Sequence, residues 1–230
     1  MNKLFDASRK RGASLTEQAY AIVREKIITG ELPPGSDISE PELAEQLQMS
    51  KTPVREALGR LCVEGLMEAF PRRGYRITPV TMKDISDLFA VRATLEGMAA
   101  ALAASNLSDD ELDMLDRLAD ASYVVGEGTS TKSFVASNEK FHLAIAQGSR
   151  NPRLVSLVMS HLEECDRLHY IGARSRDINP ETNTDHHEIV AALRRRDAVE
   201  ARRAVVEHIE NTRRGLLESF IASSHGAVTL

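Results

Sequence analysis

The spacing of apolar residues changes character once along the chain. Up to Pro79, short helical stripes give way to a pair of strand-like runs; from Thr81 onward the helical period continues with no strand signal. Leu15, Ala19, Ile22, Val23 and Ile27 share one face of a helix opened by the capping box Ser14-x-x-Glu17 and stopped by Gly30 and Pro33-Pro34. Ser39-x-x-Glu42 opens a second helix with Leu43, Ala44 and Leu47 inward. After a turn at Gln48-Met49, a third begins at Ser50 or Thr52. Pro53 is tolerated in its first turn because the amide it lacks would be unpaired there. Val54, Ala57, Leu58 and Leu61 form its inner stripe, and Lys51, Thr52, Arg55 and Gly59 its outer face. Leu66–Phe70, Pro71–Gly74 and Tyr75–Thr78 then read as strand, turn and strand, with Arg72 and Arg73 beside the turn glycine.

The second region predicts six helices, roughly Met82–Ser105, Ser108–Gly126, Thr129–Gln147, Asn151–Gly172, Pro180–Arg195 and Asp197–Ala222. Ser108-x-x-Glu111 and Asp197-x-x-Glu200 are capping boxes, and Gly126 and Gly148 are stops. Short loops between helices of this length imply an antiparallel bundle. The expected organisation is a flexible arm at 1–13, a winged helix-turn-helix at 14–80, an all-helical domain at 81–222 and a tail at 223–230. The fold class is mainly α.

A helix pair whose second member has a cationic outer face suits major-groove recognition, and a hairpin with basic residues at its tip can reach phosphates or the minor groove. Lys51, Thr52, Arg55, Arg72, Arg73 and Gly74 are therefore the candidate DNA-contacting residues, with Arg76 in the same basic cluster. A solvated charged face is the bland alternative; the helix pair, basic face and hairpin in working order favour DNA. The net charge of −5 speaks against that until the chain is divided. Residues 1–80 carry 12 Lys and Arg against 11 Asp and Glu, the remainder 17 against 23. Attraction to phosphate must come from the local cluster, and the acidic part is expected to face away from DNA. Cys62 and Cys165 lie far apart without metal-site spacing and read as small core residues of a reduced protein. No signal-like run and no stretch of 18 apolar residues is present, so the expectation is a cytoplasmic protein with no membrane partner.

Polar residues on apolar stripes carry the remaining chemistry, because burying them requires partners. Asn138 and His142 share a face with Phe134, Phe141 and Ile145; His186 lies with Ile189, Val190 and Leu193; His208 lies with Ala201, Ala204, Val205 and Leu216. Three imidazoles and an oxygen ligand converging between helices can hold a first-row divalent cation. His161 also falls on an inner stripe and His187 adjoins His186, so stripe position leaves the set open. Arg92 interrupts the stripe of Ile85, Leu88, Phe89, Leu95, Ala99 and Leu102; it either pairs internally with Glu96 or clamps a ligand carboxylate.

Two resemblances narrow these alternatives. Ile28-Thr29-Gly30-Glu31-Leu32-Pro33-Pro34-Gly35, Glu42-Leu43-Ala44, Thr52-Pro53-Val54-Arg55-Glu56-Ala57-Leu58, Glu64-Gly65-Leu66 and Arg72-Arg73-Gly74 resemble the winged helix-turn-helix of GntR-family bacterial transcription regulators. Lys51 stands where that family usually has Arg, and Gln48 where it usually has Gly. Asn138-x-x-Phe141-His142-x-x-Ile145, His186-x-x-Ile189 and His208-Ile209 resemble the metal-binding pattern of the FCD effector domain in FadR-type members, here of the six-helix VanR-like kind. The resemblance implies Asn138, His142, His186 and His208 as ligands of a divalent transition metal (Zn, Ni or Mn), and a small carboxylate as effector, held by the metal and Arg92. It implies a homodimeric, ligand-responsive regulator of double-stranded operator DNA, a repressor relieved by its ligand, and not an enzyme. The rivals are a metalloenzyme carrying a DNA-binding domain, for which no general-base motif is visible, and a regulator whose metal is purely structural.

Overall fold

Ser14 opens the first helix, α1 (Leu15–Ile28), by accepting from the Glu17 amide while the Glu17 carboxylate accepts from the Ser14 amide. The computed structural model describes residues 13–124, 127–175 and 179–225. Ser39 caps α2 (Glu40–Gln46) through the Glu42 amide. Gln48 takes a left-handed conformation, φ 53°, before α3 (Lys51–Val63). Ala19, Val23 and Ile27 pack with Leu43, Ala44, Val54, Ala57, Leu58 and Leu61 in one core, which Met67 and Ile77 join. Leu15 departs from its expected place: at the first residue of α1 it lies beyond that core and is exposed.

The hairpin pairs β2 (Met67–Phe70) antiparallel with β3 (Gly74–Ile77), Met67 opposite Ile77 and Phe70 opposite Gly74. A strand that the pattern does not predict, β1 (Asp37–Ile38), pairs with the other edge of β3, giving the order β1-β3-β2. Two residues are too few to show a period. At the tip, Arg73 N–H donates to Phe70 O across Pro71 and Arg72, and Arg72 sits at φ 65°, where glycine is favoured. Gly74 has no substitute: at φ 98°, a Cβ would lie 2.6 Å from the Ile38 carbonyl oxygen.

The division into two compact units falls between Val80 and Thr81. The second unit contains α4 (Met82–Asn106), α5 (Asp109–Ala119), α6 (Gly128–Gly148), α7 (Pro152–Ser175), α8 (Asn179–Arg194) and α9 (Ala198–His225). Thr81 with Asp84 and Ser108 with Glu111 make complete capping boxes, and Asp197 accepts from the Val199 and Glu200 amides. α4 packs against α6, α7, α8 and α9. Its approach to α9 depends on Gly97, where a Cβ would lie 2.8 Å from Val206. By length and composition α4 could cross a membrane, yet Phe89, Arg92, Glu96, Ala99, Ala100, Ala103 and Ala104 are buried within the bundle.

Two expectations shift at the ends of elements. α5 stops at Ala119, and beyond it Tyr123 packs onto Phe134 (ring centroids 4.8 Å apart); Gly126 lies outside the described residues. α9 continues to His225, into the stretch expected as a tail. Of the arm at 1–13, only Ala13 is described.

Candidate nucleic-acid face and candidate metal centre

The inner stripe of α3 is buried, which leaves Lys51, Thr52, Arg55 and Gly59 exposed. Arg55 Nε and Nη2 donate to the two carboxylate oxygens of Glu40, at the start of α2, at 2.8 and 2.7 Å. Arg76 on β3 donates to Asp37 on β1 at 2.7 and 3.2 Å. These hydrogen bonds hold the Glu40 and Asp37 carboxyls below the usual carboxylate range. Lys51, Arg72 and Arg73 have no ion pair within 4.0 Å among the described residues. Arg72, Arg73 and Gly74 line a groove between the hairpin and the start of α2, with Glu40 and Tyr75. The cationic cluster read from the sequence is thus of two kinds, cations tethered by carboxylates and cations open to an incoming anion.

In the bundle, α6 supplies Asn138 and His142, α8 supplies His186 and α9 supplies His208; all four are buried. One ring nitrogen from each histidine lies within 4.8 Å of the others. The His142 and His208 rings stack at 5.2 Å, and His186 stacks on Phe141 at 3.9 Å. Asn138, one turn before His142, shares its helix face.

Carboxylates face two of these rings, and the one beside His208 makes a hydrogen bond to it. His142 Nδ1 lies 2.6 Å from Glu96 Oε2, and His208 Nδ1 lies 3.2 Å from Asp185 Oδ2. A ring that gives its Nδ1 proton to a carboxylate keeps the Nε2 lone pair for a cation. Among the described residues, Nε2 of His142 and Nε2 of His186 are buried without a hydrogen-bond partner, a costly state that a metal ion would relieve. Burial lowers the His142 pKa to about 4 against the pull of Glu96, and carries His186 well below the usual value. Both rings are therefore neutral near pH 7, as metal ligation requires. Burial alone would raise the Glu96 carboxyl, but Arg92 and His142 outweigh it and hold it low.

Arg92 has an internal partner in Glu96. Its Nε donates to Glu96 Oε1 at 2.7 Å and an Nη donates to Cys165 Sγ at 3.3 Å, with the guanidinium buried. Beside His208 lies a narrow cleft, open to solvent, lined by His169, Thr182, Asp185, Asn211, Thr212 and Ser219 among others; Arg92 does not line it. His161 is half-exposed and bonds to Leu157 O on its own helix, while His187 is exposed and meets Asp120, so neither joins the cluster. Periodicity misses Asp185, Cys165 and His169 here, and Glu40 and Asp37 at the other face. Asp185, Cys165, Glu40 and Asp37 each meet a partner across elements, and His169 enters as a buried lining residue beside His208, so no local spacing signals them. Spacing marks Glu96 only as a partner for Arg92, and its contact with His142 is likewise out of reach.

Residues 15–77 match the family described as bacterial regulatory proteins, gntR family, and residues 87–211 match the FCD domain. The HTH-type transcriptional regulator McbR of Escherichia coli is 30% identical over 204 residues, covering 86% of this chain and 91% of that protein. A probable D-xylose utilization operon transcriptional repressor of Paenarthrobacter nicotinovorans is 30% identical over 207 residues, covering 89% and 90%. The solved structure of E. coli McbR/YncC superposes with a TM-score of 0.68 at 26% identity, over 90% of this chain and 99% of that one.

Proposed function

Since the chain belongs to the GntR family of bacterial regulatory proteins and carries an FCD domain, we propose that it is a cytoplasmic, homodimeric repressor whose hold on operator DNA responds to a small carboxylate. The family regulates transcription by binding operator DNA and is not a family of enzymes. Lys51, Thr52, Arg55, Arg72, Arg73 and Gly74 form the operator-facing surface in this reading. Two such surfaces, related by a two-fold axis, would meet the half-sites of a near-palindromic operator. The relative described as a repressor supports the sign of regulation.

The observation that carries the sensing half is the convergence of three buried imidazoles, two with Nε2 atoms that find no partner among the described residues. His142, His186 and His208, with Asn138 as oxygen donor, would hold Zn, Ni or Mn, the bound cation supplying a Lewis-acid anchor for a carboxylate. An amide oxygen at Asn138 leaves the protein ligands neutral, which favours an anion as the remaining ligand. The ion pair with Glu96 favours an internal role for Arg92 over that of a carboxylate clamp. An Arg92→Ala variant that binds acid normally in titration calorimetry would remove the clamp from the reading. Effector binding can act on DNA only through unequal affinity for the two arrangements of the reader domains.

Elemental analysis tests the site directly. The wild-type chain should hold metal, and the pair His142→Ala, His186→Ala should lose it; unchanged metal content excludes the site. Operator affinity measured with and without metal and acetate then separates a sensing metal from a structural one.

A further inference from the structure

We propose that Glu40 is a specificity-determining residue of the DNA-binding face: it grips Arg55 by one edge of the guanidinium and thereby aims the opposite edge at a guanine. The inference rests on the reading of Arg55 as a base-contacting residue. A guanidinium is planar and has two edges, each able to donate two parallel hydrogen bonds. Glu40 occupies the Nε and Nη2 edge with both of its oxygens. The Nη1 and Nη2 edge remains, and that edge matches guanine O6 and N7 in the major groove.

The two partners are unequally placed. Glu40 is the first residue of α2, directly after the capping Ser39, and its side chain is 14% exposed against 65% for Arg55. The anchored group is the carboxylate, and the oriented group is the arginine. Stability does not account for such a pair, because exposed ion pairs contribute little to it. Affinity does not account for it either. A carboxylate on the face that meets phosphate cancels the charge of Arg55 and weakens general attraction to DNA. What it does supply is direction, since a long, exposed side chain would otherwise sample many rotamers before meeting a base. Lys51, Arg72 and Arg73 have no such tether among the described residues and supply the attraction that Arg55 gives up. Asp37 holds Arg76 in a similar fork, but Asp37 is itself 67% exposed and gives no comparable anchor.

The test compares two DNA probes: a duplex selected by the wild-type chain from a random pool, and a scrambled duplex of the same length and composition. Wild type, Glu40→Gln, Arg55→Ala and the double variant are measured over a range of salt. In Glu40→Gln the ratio of selected to scrambled affinity should fall by about tenfold, within the range of a bidentate base contact. The scrambled duplex should bind more tightly, with a salt dependence steeper by about one charge. In the Arg55→Ala background, Glu40→Gln should leave the ratio unchanged. An unaltered ratio in Glu40→Gln, beside a lowered one in Arg55→Ala, overturns the role of Glu40 alone. An unaltered ratio in Arg55→Ala overturns the base-contacting reading itself. Equal losses on both duplexes with a lowered melting temperature would make Glu40 structural and also overturn the inference.

Discussion

An arginine gripped by a glutamate occurs in both domains, and the two pairs differ in almost everything but chemistry. Arg55 and Glu40 meet on a surface, across two helices, with the arginine mostly in water. Arg92 and Glu96 meet within one helix, four residues apart, with both side chains at most 4% exposed. Water screens the first pair, so its net contribution to stability is small and its effect is to orient. The second pair has lost its water, so each charge depends on the other. Glu96 also serves a second partner, because its other oxygen faces His142, and the ion pair and the histidine cluster therefore share one carboxylate. In the reader, charge is arranged for a partner still to come. In the bundle, charge is consumed in holding neutral rings in place.

The contrast is most sharply broken at Glu96. Replacing it by Leu leaves Arg92 buried without its carboxylate and should destabilise the bundle by about 3–5 kcal/mol in urea denaturation. Replacing both members, Arg92→Met with Glu96→Leu, should recover most of that loss. A mild effect of the single change would mean that water reaches the pair in solution.

Acid should be the next largest effect, and it should act chiefly on the bundle, where the titrating rings are buried. Burial depresses the His142 pKa to about 4 and that of His169 to about 3. Above pH 6.5 both rings are neutral in the folded and unfolded chain, and stability is complete. As pH falls from 6.5 towards 4, the unfolded chain binds protons that the folded chain refuses, so stability is lost. Melting of metal-stripped protein across this window checks the sign; a flat profile would mean that these rings are not buried as neutral groups.

At the reader, Arg55→Ala should cost about 1–3 kcal/mol of specific binding to a selected duplex. It should leave the bundle's melting unchanged. The smallest effect is expected at the hairpin tip. Arg72→Gly removes a left-handed residue and should stabilise the reader by about 1 kcal/mol, while making its DNA binding less salt-dependent. A loss of stability there would mean that the arginine side chain compensates its own backbone strain.

Much of this molecule is legible without coordinates because its elements announce themselves locally. The boxes at Ser14 and Ser108, the proline in the first turn of α3 and the stripes through Phe141, Ile189 and Val205 are consequences of helical period and capping geometry. Those stripes also turn Asn138, His142, His186, His208 and Arg92 inward, since a residue between two core positions has nowhere else to point. Strand β1 is not legible, because a two-residue strand exists only by pairing with β3.

By itself, then, the amino-acid order determined most of the residues that face inward on each helix, with Leu15 and His161 among the exceptions, and which cations face out on α3, because both follow from the 3.6-residue repeat. Only the tertiary structure decided which inward residues meet. It set His161 apart from the cluster, placed Asp185 on His208 across 23 residues of chain, and gave Arg55 a carboxylate 15 residues away. Periodicity fixes direction about one axis, whereas contact depends on how separate axes cross, and that is a property of packed side chains rather than of spacing.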